Sequence, residues 1–258
     1  MPPNETSGFL RSNRLRRIFA RQYWRRWLLG LLALAAVAYF AVPWLYIHVF
    51  SEPAPPPLSF EQLDKDREAN PSSTLANGQS GAAGLATGQA VDGVWTVIAP
   101  SSAGYRVKES IAGQPKTAVG RTSTVDGSFT IAGGQVTAAE VNVDLASMVS
   151  DEDRRDAQFR GRIMATNDFP VATFTLTDAF ALSSGSTAET VKVQGTLSLH
   201  GTEKPATFTV SGKLEGDAIT IVANTGIIFA DYGIPNPSIG PVSTDDHGTI
   251  EVSLTAKR

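Results

Sequence analysis

The chain has 258 residues, a formal net charge of −3, 42% hydrophobic and 18% charged residues, and no cysteine. That length suits one or two domains, and that composition excludes wholesale disorder and a collagen-like chain. Without cysteine there is no disulfide, thiol nucleophile, Cys-ligated zinc or iron–sulfur cluster.

The charge is unevenly spread. Residues 1–26 carry seven arginines against Glu5, a balance of +6, and the remainder is −9. Residues 1–26 therefore read as a basic tail. Residues 27–51 hold no charged side chain, and 28–47 are almost wholly apolar. About 20 such residues at ~1.5 Å rise each match a hydrocarbon core of ~30 Å, so 27–50 is predicted to be a single transmembrane helix. Trp24 and Trp27 at one end, and Trp44 and Tyr46 at the other, suit interfacial aromatic belts. The arginines then place the N-terminus in the cytoplasm and everything after residue 50 outside it. The expected location is the cell membrane, single-pass, with the membrane as a partner through this helix. A cleavable signal peptide is the alternative, with Ala36-Val37-Ala38 as a small-x-small site, although the apolar residues run on beyond it. The arginine cluster lacks an aromatic or glycine-rich companion motif, so no nucleic-acid partner is expected.

Residues 51–90 hold Pro53, the run Pro55-Pro56-Pro57, a charged stretch over 61–68 and a Gly/Ala/Ser/Asn-rich run over 70–88. They are predicted to be a flexible linker, extended at the prolines and coil at the glycines. A short helix over 60–69 fits within it, with Ser59 as N-cap and Gln62 at the third position. An interaction motif in the prolines is the alternative reading.

From residue 91 to 258 period-two alternation dominates, as in Val141/Val143/Leu145, Phe174/Leu176, Val191/Val193, Leu197/Leu199, Phe208/Val210, Ile219/Ile221 and Ile250/Val252/Leu254. Each such strand has one buried and one wet face. Turn signals separate them at Asp126-Gly127, Gly133-Gly134, Ser184-Gly185, His200-Gly201-Thr202 and Glu215-Gly216-Asp217. The pattern is that of an antiparallel sandwich or closed barrel. One segment, 151–164, reads as a helix, with Ser150 as N-cap, acids in its first turn and arginines later, and with Phe159 and Ile163 packing it on the sheet. Pro170 ends it.

The opening Gly93-Val94-Trp95-Thr96-Val97 strand, Gly127-Ser128-Phe129, Val141-Asn142-Val143-Asp144-Leu145 before Arg155-Asp156, Asn167-Asp168-Phe169-Pro170-Val171-Ala172-Thr173-Phe174, the 193–205 segment and Phe229-Ala230-Asp231-Tyr232-Gly233-Ile234 occur in order. Together they resemble the YceI-like family of lipid-binding, lipocalin-like barrels, over about 165 residues. The 100–105 segment departs from that pattern, because no His-Ser follows the opening strand. The resemblance implies an all-β, antiparallel lipocalin-like barrel with one short helix over 91–258, preceded here by the transmembrane helix and linker. It also implies an apolar cavity holding an isoprenoid or other amphiphilic chain. The cavity candidates are Phe129, Val141, Val143, Phe159, Phe174, Leu197, Phe208, Phe229 and Tyr232, for which ordinary core packing is the competing reading.

Arg106 and His200 are headgroup candidates, against surface salt bridging for the arginine and a backbone-bonded turn for the histidine. No HxH, HExxH, GxSxG or Walker pattern is present, so neither a catalytic set nor a metal site is expected, and no cofactor beyond a bound lipid. The acids over 151–156 point in different directions on a helix and read as a solvated face. The function expected is a membrane-tethered extracytoplasmic, non-enzymatic binder that sequesters or carries a lipid or isoprenoid, a homodimer being one arrangement open to it. The alternative is a non-catalytic cell-envelope interaction or stress-related structural module with a filled barrel.

Overall fold

Alternation of apolar and polar side chains folds the long C-terminal part of the chain into strands, and a computed structural model shows how those strands close. It describes residues 12–45, 53–69, 91–181 and 190–258. The strands are β1 (Gly93–Ile111), β2 (Gln114–Thr122), β3 (Val125–Ala132), β4 (Gln135–Asp144), β5 (Val149–Ser150), β6 (Val171–Leu176), β7 (Phe180–Ala181), β8 (Thr190–Leu199), β9 (Thr202–Glu215), β10 (Ala218–Ile228), β11 (Val242–Thr244) and β12 (His247–Lys257). Three α-helices accompany them: α1 (Ser12–Leu45), α2 (Phe60–Ala69) and α3 (Asp153–Gln158).

The long antiparallel path runs β12-β10-β9-β8-β6-β4-β3-β1, and β12 pairs again with β1. That last pairing closes an eight-stranded barrel. The 19-residue β1 serves two neighbours on its other edge, β3 over Gly93 to Thr96 and β2 over Ala103 to Ile111. Its register against β12 shifts between Ile98 and Ser102. There Ser101 Oγ accepts the Thr255 amide at 3.0 Å and Thr255 Oγ1 donates to Pro100 O at 2.8 Å, so buried polar groups stay satisfied where the ladder is interrupted.

Most turn signals fall between strands: Gly133-Gly134 between β3 and β4, His200-Gly201 between β8 and β9, and Gly216-Asp217 between β9 and β10. Asp126-Gly127 instead lies within β3. A Cβ at Gly127 would collide with the carbonyl oxygen of Glu140, so this glycine marks a close approach of β3 to β4 and not a turn. The Ser184-Gly185 signal lies outside the described residues.

The N-terminal expectation requires correction. The described residues fall into two compact units that divide between Ser51 and Glu52. In the first, α1 joins the arginine-rich and apolar segments into one helix. Among the described residues no helix is long and apolar enough to cross a membrane. The apolar part of α1, 27–45, spans about 28 Å at ~1.5 Å per residue, under a ~30 Å hydrocarbon core. The transmembrane helix over 27–50 is thus not borne out, and with it fall the single-pass location, the membrane as partner and the tethered form of the function.

In the second unit, Gln62 N donates to Ser59 Oγ at 3.2 Å, capping α2 as its sequence predicts. Residues 53–69 belong to the same compact unit as the barrel, so this part of the linker is not a free tether. The 151–164 helix is shorter and broken: α3 begins at Asp153, with Glu152 at the N-cap, and continues as a π turn over Phe159–Ile163. Ser150 does not cap it. Its amide and hydroxyl donate to Asp156 Oδ1 at 2.9 and 2.6 Å, which satisfies a buried carboxylate instead.

Ile131, on the inner side of β3, is 1% exposed, whereas Val94 on the outer side of β1 is 57% exposed. Ile131→Ala is expected to lower the urea midpoint by the equivalent of about 2–5 kcal/mol. Val94→Ala is expected to stay within about 0.5 kcal/mol of the parent.

Candidate functional site

Inward-facing side chains stack in three apolar clusters along the barrel. At one end Trp95 and Phe129 stack with centroids 6.3 Å apart and planes at 4°, beside Ile131, Val136, Ile219 and Ala256. The middle cluster holds Val97, Ala103, Phe208, Ala223, Val252 and Leu254. At the other end Phe159 and Met164 of the helical segment, with Phe229, Tyr232 and Ile234, close over Val107, Ala172, Leu197 and Leu199. Val143, Phe174, Ala206 and Ile250 link this capped end to the middle, and Ile221 links the middle to the Trp95 end.

The candidates separate along this axis. The ladder puts Val141 opposite Phe174 and Phe174 opposite Leu197, so three of them form one row across β4, β6 and β8. Phe174 meets Phe208 edge to face at 4.9 Å. The Phe174 ring lies against the Cα of Gly195, where any Cβ would collide with it. Val143 reaches both the middle and capped clusters; Phe159, Phe229 and Tyr232 belong to the capped end, and Phe129 to the opposite one.

Burial along the axis is uneven. In the middle cluster the half-buried apolar residues, among them Val141, Val143, Phe174, Val210, Ile221 and Ile250, outnumber the buried ones; at both ends the reverse holds. A barrel packed solid by its own side chains would be most buried at its middle. The inward-facing side chains of this ring are thus less completely covered at its middle than at its ends.

Comparison with known proteins follows from this geometry. The YceI-like domain profile matches residues 95–256. The chain belongs to the YceI-like family. Burkholderia cenocepacia BcnA is 19% identical and superposes with a TM-score of 0.51 over 62% of this chain and 98% of its own. The polyisoprenoid binding domain from Saccharophagus degradans implicated in plant cell wall breakdown is 20% identical, with a TM-score of 0.49 over 63% of this chain and 97% of that one. The Campylobacter jejuni YceI protein is 16% identical, with a TM-score of 0.41 over 54% and 85%. Nothing among curated proteins matches. YceI-like proteins are non-catalytic carriers with an apolar-ligand-binding barrel, and this chain is not an enzyme. Among the described residues no group of three or more His, Asp or Glu is placed to hold a metal ion.

The two headgroup candidates of this YceI-like barrel do not meet. Arg106 follows Tyr105, which packs into the capped cluster, so alternation puts the arginine on the outer face. There its Nε bonds Glu251 Oε1 at 2.8 Å. His200 occupies the β8–β9 turn with φ 51°; its Nδ1 lies 3.2 Å from Tyr232 O and its ring 5.0 Å from Phe169. This is the backbone-bonded turn geometry.

A polar group that the sequence reading passed over sits instead at the capped end. Tyr105 stacks on Phe159 at 5.0 Å, and Arg155 of α3 bonds Glu109 Oε1 at 2.9 Å and also pairs with Asp151. Glu109 shares the parity of Trp95, Tyr105 and Val107, because the shift between Ile98 and Ser102 inserts two residues in β1 and preserves alternation; what a count of alternation does not supply is Arg155, which α3 brings from elsewhere in the chain. Burial pushes the Tyr105 hydroxyl well above its ordinary range. Burial opposes the charge of Arg155, yet the Glu109 and Asp151 carboxylates outweigh it and raise its pKa.

Burial alone would raise Asp151 as well; Arg155 and Lys116 outweigh it and hold the carboxyl below its ordinary 3.8. A carboxyl lowered on folding adds stability above its unfolded pKa and loses it as pH falls through the folded value. Asp151→Asn is therefore expected to lower Tm at neutral pH, with the gap to the parent narrowing once pH falls below about 4. Thermal melts across that range check it, and a gap that does not change with pH would deny Asp151 the role.

Proposed function

We propose that this YceI-like barrel is a non-catalytic carrier whose interior holds one isoprenoid or other long amphiphilic chain along its axis. The observation that carries the reading is the concentration of half-buried apolar side chains around the middle of a closed ring, beside Phe174, Val141, Ile221 and Ile250. An extended chain needs an elongated apolar lining and few polar groups, and the three clusters supply such a lining from the Trp95 end to the Phe159 end. The Tyr105, Glu109 and Arg155 group puts polar atoms beside the capped cluster. A barrel filled by its own side chains is the competing reading, and it assigns the same residues to packing.

A substitution that adds volume separates the two. Ala206 is half-buried and touches both the middle and capped clusters. In a carrier, Ala206→Phe is expected to occupy ligand space, abolishing binding of a fluorescent polyprenyl or fatty-acyl probe while leaving Tm unchanged or higher. In a filled barrel the same change overpacks the core and costs about 1–3 kcal/mol. Native mass spectrometry of the parent purified without detergent is expected to show an added lipid mass. A parent that binds neither probe, together with a destabilised Ala206→Phe, would overturn the carrier reading.

A further inference from the structure

On the outer face of the barrel seam a stripe of side chains is buried although it points away from the interior. Val252, Leu254 and Ala256 of β12 point into the core clusters, so Glu251, Ser253 and Thr255 point outward; by the same parity Thr220 and Val222 of β10 do too. Yet all five are buried, Glu251 at 5% exposed. The segment 53–69 is anchored at both ends of this buried stripe. At one end Arg106 Nη2 donates to Pro55 O at 2.7 Å and Arg121 Nη2 to Pro56 O at 2.6 Å. At the other, Arg67 of α2 bonds Glu215 Oε2 at 2.9 Å in the β9–β10 turn. Between the anchors, α2 keeps Phe60, Leu63 and Arg67 half-buried while Glu61, Asp64, Lys65, Asp66 and Glu68 are exposed. Spacing of i, i+3 and i+7 is one helix face laid on the sheet. From Pro56 to Arg67 the strap covers about 24 Å, counting ~3.1 Å per extended residue and ~1.5 Å per helical one. From Glu251 to Lys257, β12 covers about 20 Å.

The anchor for the prolines is built, not incidental. Glu251 lies between two guanidinium groups, 2.8 Å from Arg106 Nε and 3.5 Å from Arg121 Nη2. Arg106 spends its Nε on that carboxylate and turns its Nη2 toward the strap, whereas Arg121 serves both with its Nη2. Arg121 reaches Glu251 by crossing Gly104, which the ladder places opposite both residues. A Cβ at Gly104 would collide first with the carbonyl oxygen of Gly120 and would stand 2.8 Å from Arg121 Cγ, so glycine admits both the close approach of β2 and the arginine that crosses it. What the pair reads is backbone. A proline has no amide proton, so the carbonyls of a proline run have no donor within the run and take guanidinium donors well. Recognition through carbonyls is indifferent to side chains beyond the requirement for an extended, donor-free chain. The strap also leaves this site incompletely used, because Arg121 Nε is buried without a hydrogen-bond partner.

We propose that Arg106, Glu251, Arg121 and Gly104 form a recognition site for extended proline-rich polypeptide, that residues 53–69 occupy it in cis as a releasable strap, and that it accepts a proline-rich segment of another polypeptide in trans when the strap lifts. The 70–90 connection ties the strap to the barrel, so in cis it holds a high effective concentration that a trans segment must overcome. Weakening the strap without touching the site should therefore raise trans affinity.

The probe is a fluorescein-labelled peptide with the sequence of residues 51–70, titrated against the full chain by anisotropy. The expected result is weak binding to the parent and at least tenfold tighter binding to the Leu63→Ala, Arg67→Ala chain, whose strap is loosened while Arg106 and Arg121 remain. Binding to the Arg106→Ala, Arg121→Ala chain is expected to fall at least tenfold below that of the parent, and a peptide with Pro55, Pro56 and Pro57 replaced by alanine should bind less well than the proline form. Hydrogen exchange reads the cis state in the same samples: the α2 amides should lose protection in both double variants while the β8 and β9 amides keep theirs, which also shows that the barrel is folded. No gain in the loosened chain, or undiminished binding after removal of both arginines, would overturn the proposal. So would α2 amides that stay protected without the arginines.

Discussion

The pairing of β1 with β12 is the constraint on which the rest of the structure depends. Every other strand pair would form as readily in an open sheet, but this one turns eight strands into a ring and gives the apolar face an inside. The seam is also where the ladder is least regular, and the exchange of bonds among Ser101, Pro100 and Thr255 carries it across the shift. Closure removes the edges that an open sheet would expose to other chains.

Closure also gives the two faces of β12 separate tasks. Inward, Val252, Leu254 and Ala256 belong to the clusters that line the interior. Outward, Glu251 holds two arginines in place, Ser253 is buried, and Thr255 lies under the shifted part of β1 with its hydroxyl on Pro100 O. A strand buried on both faces usually reads as a continuous apolar run. Here it alternates, because its outer neighbours are polar: the Pro100 carbonyl takes the Thr255 hydroxyl and two arginines pair with Glu251. The interior meets a different requirement: dense packing at the Trp95 and Phe159 ends fixes the shape of the barrel, while the middle is left less completely buried. Phe174 stands at that middle with its ring on Gly195, a placement that lets a large aromatic lie flat against the wall.

Much of the fold was legible before any coordinates. Period two named the strands, the glycine-bearing turns named three of their connections, and Ser59 and Gln62 marked the start of α2, because each of these signals is local and is satisfied by neighbours a few residues away. The membrane-spanning reading of 27–50 failed on length, since no described helix is long and apolar enough to cross a bilayer. The helical segment after Ser150 also resisted: an N-cap serine is a local expectation, but Asp156 needed partners once buried and took them from Ser150. Alternation counted from Trp95 already puts Arg106 on the outer face, since the shift between Ile98 and Ser102 inserts an even number of residues; what it cannot supply is the arginine's partner there, Glu251. Tyr105 and Glu109 face inward by the same count, but Arg155, which completes the polar group at the capped end, comes from a helix, 46 residues after Glu109, and alternation does not supply it.

By itself the sequence determined the all-β character, the resemblance to YceI-like barrels and the set of apolar residues that face inward, since alternation, turn chemistry and motif order are properties of the chain. Only the tertiary structure decided how those residues are shared among three clusters, which end carries the polar group, and that a proline run expected to be a free linker lies on the barrel wall. Those are outcomes of register and closure: a shift of one residue moves a side chain to the opposite face, and Arg106, Arg121 and Glu251 become neighbours only when β12, 145 residues after Arg106, returns to pair with β1.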